Sequence, residues 1–181
     1  VPSLLVLPDN TVLINFALIN RMDLLARLVR NGAWCASVAD ECDRSAKQPG
    51  LDSMVAAHEI FGEPLRPENG REHVMTQTLR RLLARPGEDR LRHLGEAETL
   101  AIMSCRSLRG IFATDDGAVP TLAKQQGIQV VTTSDLLRAA CRGHMVDADT
   151  LWSHFQTLRQ SRRAMQPGVY DRTSFDKWLS L

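Results

Sequence analysis

Residues 94–131, LGEAETLAIMSCRSLRGIFATDDGAVPTLAKQQGIQVV, alternate between helical and strand-like apolar patterns. Ala97, Leu100, Ala101, Ser104, Cys105 and Leu108 keep a helical period, and Gly110 reads as the end of that helix. Residues 111–114 form a short apolar strand. A helix over about residues 118–126 tolerates Pro120 in its first turn, Gly127 ends it, and residues 128–131 are a β-branched strand. Helix, strand, helix, strand in this order indicates a parallel sheet with right-handed crossovers. In such a sheet the carboxyl ends of the strands open onto one crevice. Glu96 and Glu98 lie in the first turn of the leading helix, and Asp115 and Asp116 stand at the exit of the strand that follows. Acids therefore mark both ends of one αβ unit.

The remainder of the chain fits around that unit. Residues 4–7, LLVL, read as a buried parallel strand with Asp9 at its carboxyl end. Taken alone, Asp9 is a good helix N-cap. Helices are expected over residues 12–17 and 22–30, and Asn31-Gly32 stops the second of them. Residues 33–37 suggest another short strand, and a helix over residues 38–46 carries Glu41. Further helices are expected over 51–61 and 71–85, separated by Pro64, Pro67 and Asn69-Gly70. Beyond the central unit, Ser134-Asp135 caps a helix reaching Cys141, Asp147 or Asp149 starts another, and residues 174–181 form the last. The expected division is a domain over residues 1–145 with a helical extension, residues 146–181, packed on it. The aromatic stripe of that extension, with Trp152, Phe155, Phe175 and Trp178, reads as core or partner interface before it reads as a base-stacking platform.

At 181 residues and 44% apolar the chain suits one domain with a sizeable core. No run approaches the roughly 18 to 20 apolar residues that span a bilayer, and the start lacks a signal-peptide pattern. A soluble, cytoplasmic protein is the expectation. The chain begins at Val1 without a methionine, and trimming is expected. Four scattered cysteines without C-x-x-C spacing suggest neither disulfides nor zinc. A net charge of +1 gives no global basic footprint, so any contact with nucleic acid has to be local. Arg80, Arg81, Arg85, Arg90 and Arg92 are the densest basic run, and Arg159, Arg162 and Arg163 form a second group. Both are candidates for contacts to a phosphate backbone, although a solvated helical face is the simpler explanation of the first run.

Phosphate-binding loops, nucleophile elbows and paired zinc histidines are absent, and the five histidines show no ligand spacing. Carboxylates remain. Asp9, Glu98 and Asp116, with Glu41, Glu96 and Asp115 nearby, each have a local explanation as cap, dipole partner or turn residue. Those explanations do not predict that so many acids gather at one end of the sheet. Packed carboxylates repel unless a cation neutralises them. Mg²⁺ or Mn²⁺ suits an all-oxygen site and supports attack of water on a phosphodiester.

A strand ending in Asp9, the helical acid Glu41, the G-E-A-E helix start at residues 95–98 and the T-D-D strand exit at residues 114–116 together resemble a PIN-domain ribonuclease. The subgroup with a G-E-x-E motif, similar to VapC-like toxins, is nearest. Asn10 departs from the Thr or Ser that often follows the first acid, and the third acid is Glu where Asp is commoner. The resemblance implies a PIN-like α/β/α sandwich with a mostly parallel sheet and extra C-terminal helices. It also implies a Mg²⁺- or Mn²⁺-dependent endoribonuclease, with catalytic Asp9, Glu98 and Asp116, metal ligands Asp9, Glu41, Glu98 and Asp116, and auxiliary Glu96 and Asp115. RNA as substrate, an antitoxin partner and homodimerisation follow from the resemblance, and an exposed aromatic tail adds slight support for the last.

Two other readings compete. A haloacid-dehalogenase-like phosphohydrolase would use Asp9 as nucleophile, but the position two residues on, where that family carries its acid, is Thr11. A PIN-fold binding module without catalysis would retain the acids unused.

Overall fold

The computed structural model describes residues 4–89 and 91–181; Arg90 of the first basic run lies outside the described residues. Three strands, β1 (Leu5–Pro8), β2 (Gly110–Ala113) and β3 (Gln129–Val131), pair in parallel in the order β1-β2-β3. Leu7 is in register with Phe112, and Phe112 with Val130. Successive side chains of a strand point to opposite faces, and here both faces are apolar. Val6, Ala113 and Val131 enter one core, while Leu7, Phe112 and Val130 enter the other. Burial on both faces explains why the strands read as continuous apolar runs rather than alternating ones.

Helices cover each face and make an α/β/α sandwich. One layer contains α1 (Asn10–Leu18), α2 (Met22–Leu28), α3 (Ala36–Ser45), α8 (Thr133–Arg142), α9 (Ala148–Gln160) and α10 (Arg172–Ser180). A 3-10 turn, Asp52–Ala56, followed by α4 (Ala57–Phe61) closes that layer through Met54 and Phe61. The other layer contains α5 (Gly70–Leu83), α6 (Leu94–Cys105) and α7 (Val119–Gln125), packed through Leu79, Leu83, Leu100 and Leu122. Every residue of α6 from Gly95 to Met103 is buried, and α6 supplies Ile102 to the first core and Leu100 to the second.

Several local expectations change. Gly110 does not end α6, which stops at Cys105; it opens β2. A Cβ there would lie 2.6 Å from the Leu5 carbonyl oxygen, so Gly110 is the residue that lets β1 and β2 approach. Residues 33–37 form no strand. Val6 donates to the Asn31 carbonyl and Ala33 to the Val6 carbonyl, leaving a single bridge at Gly32, and a second bridge joins Cys35 to Leu65 before α3 begins. Thr132, not Ser134-Asp135, is the N-cap of α8, and it forms a reciprocal capping box with Asp135. Asp147 caps α9, and Asp171 starts α10 two residues earlier than the apolar pattern suggests.

The aromatic stripe is core. Phe175 is centred 5.3 Å from Phe155 and 5.9 Å from Trp178, and both Phe175 and Trp178 are buried. Phe155, Phe175 and Trp178 are therefore taken up by the core and give no argument for a dimer. No described helix is long and apolar enough to cross a membrane.

Candidate metal centre

Asp9 follows β1 directly, and its N–H donates to the Ala113 carbonyl at 2.8 Å, which extends the β1–β2 ladder by one rung. The residue is 1% exposed. It does not cap α1. Instead the hydroxyls of Thr11 and Thr114 both donate to Oδ2, at 2.7 and 3.0 Å, and fix the rotation of the carboxylate. Burial pushes the Asp9 carboxyl above its usual range against the pull of those hydroxyls.

Asp116 stands where the chain leaves β2. Its N–H donates to the Thr114 hydroxyl, and its Oδ1 accepts from the N–H of Ala118 at 2.8 Å. Its Oδ2 points toward α6, 3.3 Å from Nδ1 of His93.

Glu96 enters from the first turn of α6, where the unpaired N–H groups of a helix start favour negative charge. Burial, then the charge of Asp9, raises its carboxyl to about 7, with Asp116 acting in the same direction. Glu41 reaches the same region from α3. Burial, then Asp9 and Glu96, raises it to about 8, while the Gly95 N–H pulls the other way. A Cβ on Gly95 would lie 2.9 Å from Val38 Cγ2 and 3.3 Å from Glu41 Oε1, so only glycine permits this approach of α3 to α6. Asp9, Glu41, Glu96 and Asp116 thus form one mutually repelling group.

Two of the predicted acids point elsewhere. The Glu98 carboxylate accepts from the N–H of Ser37 at 3.0 Å and from its hydroxyl at 2.8 Å, at the start of α3. Residues two apart on a helix do not share a face, so Glu96 and Glu98 part company. Asp115 is turned back into the fold, where it accepts from the N–H and hydroxyl of Thr133 and from the Asn15 amide. Of the arginines, Arg81, Arg85 and Arg162 are exposed. Arg80 donates to the Asp89 carbonyl, Arg159 to the carbonyls of Val169 and Tyr170, and Arg163 to Asn15 Oδ1 at 2.6 Å.

His93 was not among the residues singled out from sequence. It precedes α6 in the left-handed region, with φ 61°, and its side chain is 9% exposed. Its Nδ1 is buried without a hydrogen-bond partner among the described residues, 3.5 Å from Glu96 Oε1 and 3.3 Å from Asp116 Oδ2. Ligand atoms of these three residues lie within 4.8 Å of one another, a grouping open to a metal ion. The spacing H-x-x-E, three residues apart at a helix start, was the available signal. Carboxylates that are raised by their neighbours and face an unpartnered ring nitrogen fit a divalent cation, which would relieve both conditions at once.

A family model described as a PIN domain matches residues 5–174. No curated protein and no solved structure matches the chain. PIN domains are generally nucleases, a class of hydrolase, and are often metal-dependent. The match runs from β1 into α10 and takes in the whole acidic centre, and the chain belongs to the PIN-domain family.

Proposed function

We propose that the protein is a divalent-metal-dependent endoribonuclease in which Asp9, Glu96 and Asp116, with Glu41 beside them, hold Mg²⁺ or Mn²⁺. Glu96 takes the role that the G-E-x-E pattern suggested for Glu98. The observation that carries this reading is the convergence of four acids from β1, α3, α6 and the β2 exit, with Glu41 and Glu96 held well above the usual carboxylate range.

A bound cation would activate a water and stabilise charge on the phosphoryl oxygens. The chain's own residues organise the site. Thr11 and Thr114 lock the Asp9 carboxylate, Ala118 and Thr114 hold the Asp116 loop, and the start of α6 presents Glu96. The phosphohydrolase alternative loses ground, because Thr11 donates to Asp9 where that mechanism needs an acid.

The test is cleavage of a mixed RNA pool, with a DNA pool in parallel, with and without Mn²⁺. Wild type is expected to cleave RNA only with metal, and Asp116→Asn to lose on the order of 100-fold or more in rate. Equal, metal-independent activity in both proteins overturns the reading. A toxin role in the cytoplasm, with an antitoxin partner and a homodimeric state, belongs to the same proposal on motif resemblance. Co-expression with a small neighbouring gene product, followed by mass measurement of the purified species, tests those parts.

A further inference from the structure

We infer that His93 is a nitrogen ligand of the metal centre, binding through Nδ1 beside Glu96 and Asp116, and that it makes the site prefer a transition cation such as Mn²⁺ over Mg²⁺. The inference rests on the metal-dependent reading above.

Three observations lead to it. The His93 Nδ1 is buried and makes no hydrogen bond among the described residues, yet it sits 3.3 and 3.5 Å from carboxylate oxygens of Asp116 and Glu96. The other ring nitrogen, Nε2, lies 3.4 Å from Glu88 Oε2. Glu88 is fixed in turn, its carboxylate accepting from the N–H of Arg85 at 2.8 Å and pairing with Arg92 at 3.4 Å. With the Glu88 carboxylate 3.4 Å behind Nε2, the ring presents Nδ1 to the acids, and in the Nε2-protonated tautomer its lone pair faces them, the arrangement of a ligating histidine. Finally, His93 occupies the N-cap of α6 without using its side chain as a cap and with a left-handed backbone. Asn or Gly would serve that backbone better, and Ser or Asp would cap better.

An inward lone pair facing two carboxylates is repulsive unless a cation lies between them. The rival arrangement is a protonated imidazolium that bridges Glu96 and Asp116 as an internal countercharge. The two differ in what happens when metal is added. An imidazole ligand also changes selectivity, because Mg²⁺ favours oxygen donors and holds its waters, whereas transition cations accept nitrogen readily.

The experiment uses the full chain with Mn²⁺ and Mg²⁺ alone. Electron spin echo spectra of the Mn²⁺-loaded protein should show ¹⁴N modulation from a coordinated imidazole, and titration calorimetry should show tighter binding of Mn²⁺ than of Mg²⁺. In His93→Asn, which keeps a residue tolerant of positive φ, the modulation should vanish and Mn²⁺ affinity should fall about 10- to 100-fold. Mg²⁺ affinity should change far less. Bound Mn²⁺ without ¹⁴N modulation in wild type overturns the assignment of His93 and leaves the nuclease reading intact, as does an unchanged Mn²⁺-to-Mg²⁺ ratio in His93→Asn. Failure of wild type to bind either cation overturns both. The wild-type spectrum decides the matter even if the variant does not fold.

Discussion

At the residue scale, the two glutamates of the G-E-A-E turn separate by their contacts. Glu98 satisfies the N–H and hydroxyl of Ser37 and so works as an external cap for α3, whose own N-cap residue, Cys35, makes no side-chain cap. Its charge faces the favourable end of a helix. Removing it leaves a buried N–H and a buried hydroxyl without their acceptor, so Glu98→Ala should lose roughly 2–4 kcal/mol of stability by denaturant titration, from two charge-assisted hydrogen bonds. Cation binding by the folded variant should stay within a few-fold of wild type. A variant of undiminished stability that no longer binds Mn²⁺ would instead make Glu98 a ligand. The same helical geometry shows what the sequence already contained. An i, i+2 pair cannot present both carboxylates to one site, whereas His93 and Glu96, three apart, can. The left-handed backbone that aims His93 inward has no comparable sequence signal, since glycine and not histidine is its usual mark.

At the scale of elements, the strands were legible because burial on both sheet faces leaves uninterrupted apolar runs, and the acids at their ends were legible with them. The exact element boundaries were less so. Gly110 resembles a helix stop by residue type, but its place is set by the Leu5 carbonyl across the sheet, a contact between residues far apart in sequence. The tie between α5 and α6 was equally hidden. Arg106, just past α6, forks onto both carboxylate oxygens of Glu72 at 2.9 Å each, and the Glu68 N–H adds a third donor. The Arg106 hydrogen bonds, then that of Glu68, bring the Glu72 carboxyl down to about 2. A folded-state value below the unfolded one stabilises the fold above the ordinary carboxylate range, and the contribution disappears as pH falls through about 2. Wild type should therefore exceed Glu72→Gln in stability by about 1.5–3 kcal/mol at pH 7. The gap should begin to narrow below about pH 4.5 and close near pH 2. Melting temperatures of both proteins across that range check the prediction, and a gap independent of pH would assign the effect to packing rather than charge.

At the scale of the whole molecule, the C-terminal segment reaches back beneath the candidate site. Arg163 donates through Nε to Asn15 Oδ1 at 2.6 Å and through Nη2 to the Thr11 carbonyl at 3.3 Å. Asn15 passes its amide to Asp115 and Thr133, and Thr11 holds Asp9 through its hydroxyl. A residue near the end of the chain thereby sets the orientation of groups in α1, at the β2 exit and at the start of α8. Arg163 looked like a contact for phosphate because sequence shows a cluster with Arg159 and Arg162 but not the partner 148 positions earlier. The two roles make opposite predictions. As an internal strut, Arg163→Ala should lower stability by about 1.5–3 kcal/mol, the scale of a hydrogen-bonded charge removed from a partly buried network. It should slow cleavage at saturating metal and leave the salt dependence of RNA binding as in wild type. As a phosphate contact, its loss would leave stability nearly unchanged and reduce the slope of log K against log salt by about one unit. Paired melting and salt-titration measurements on this variant separate the two. The strut outcome would mean that the C-terminal helices are needed to shape the acidic centre, so that a chain cut before α9 would keep every acid but lose part of their arrangement.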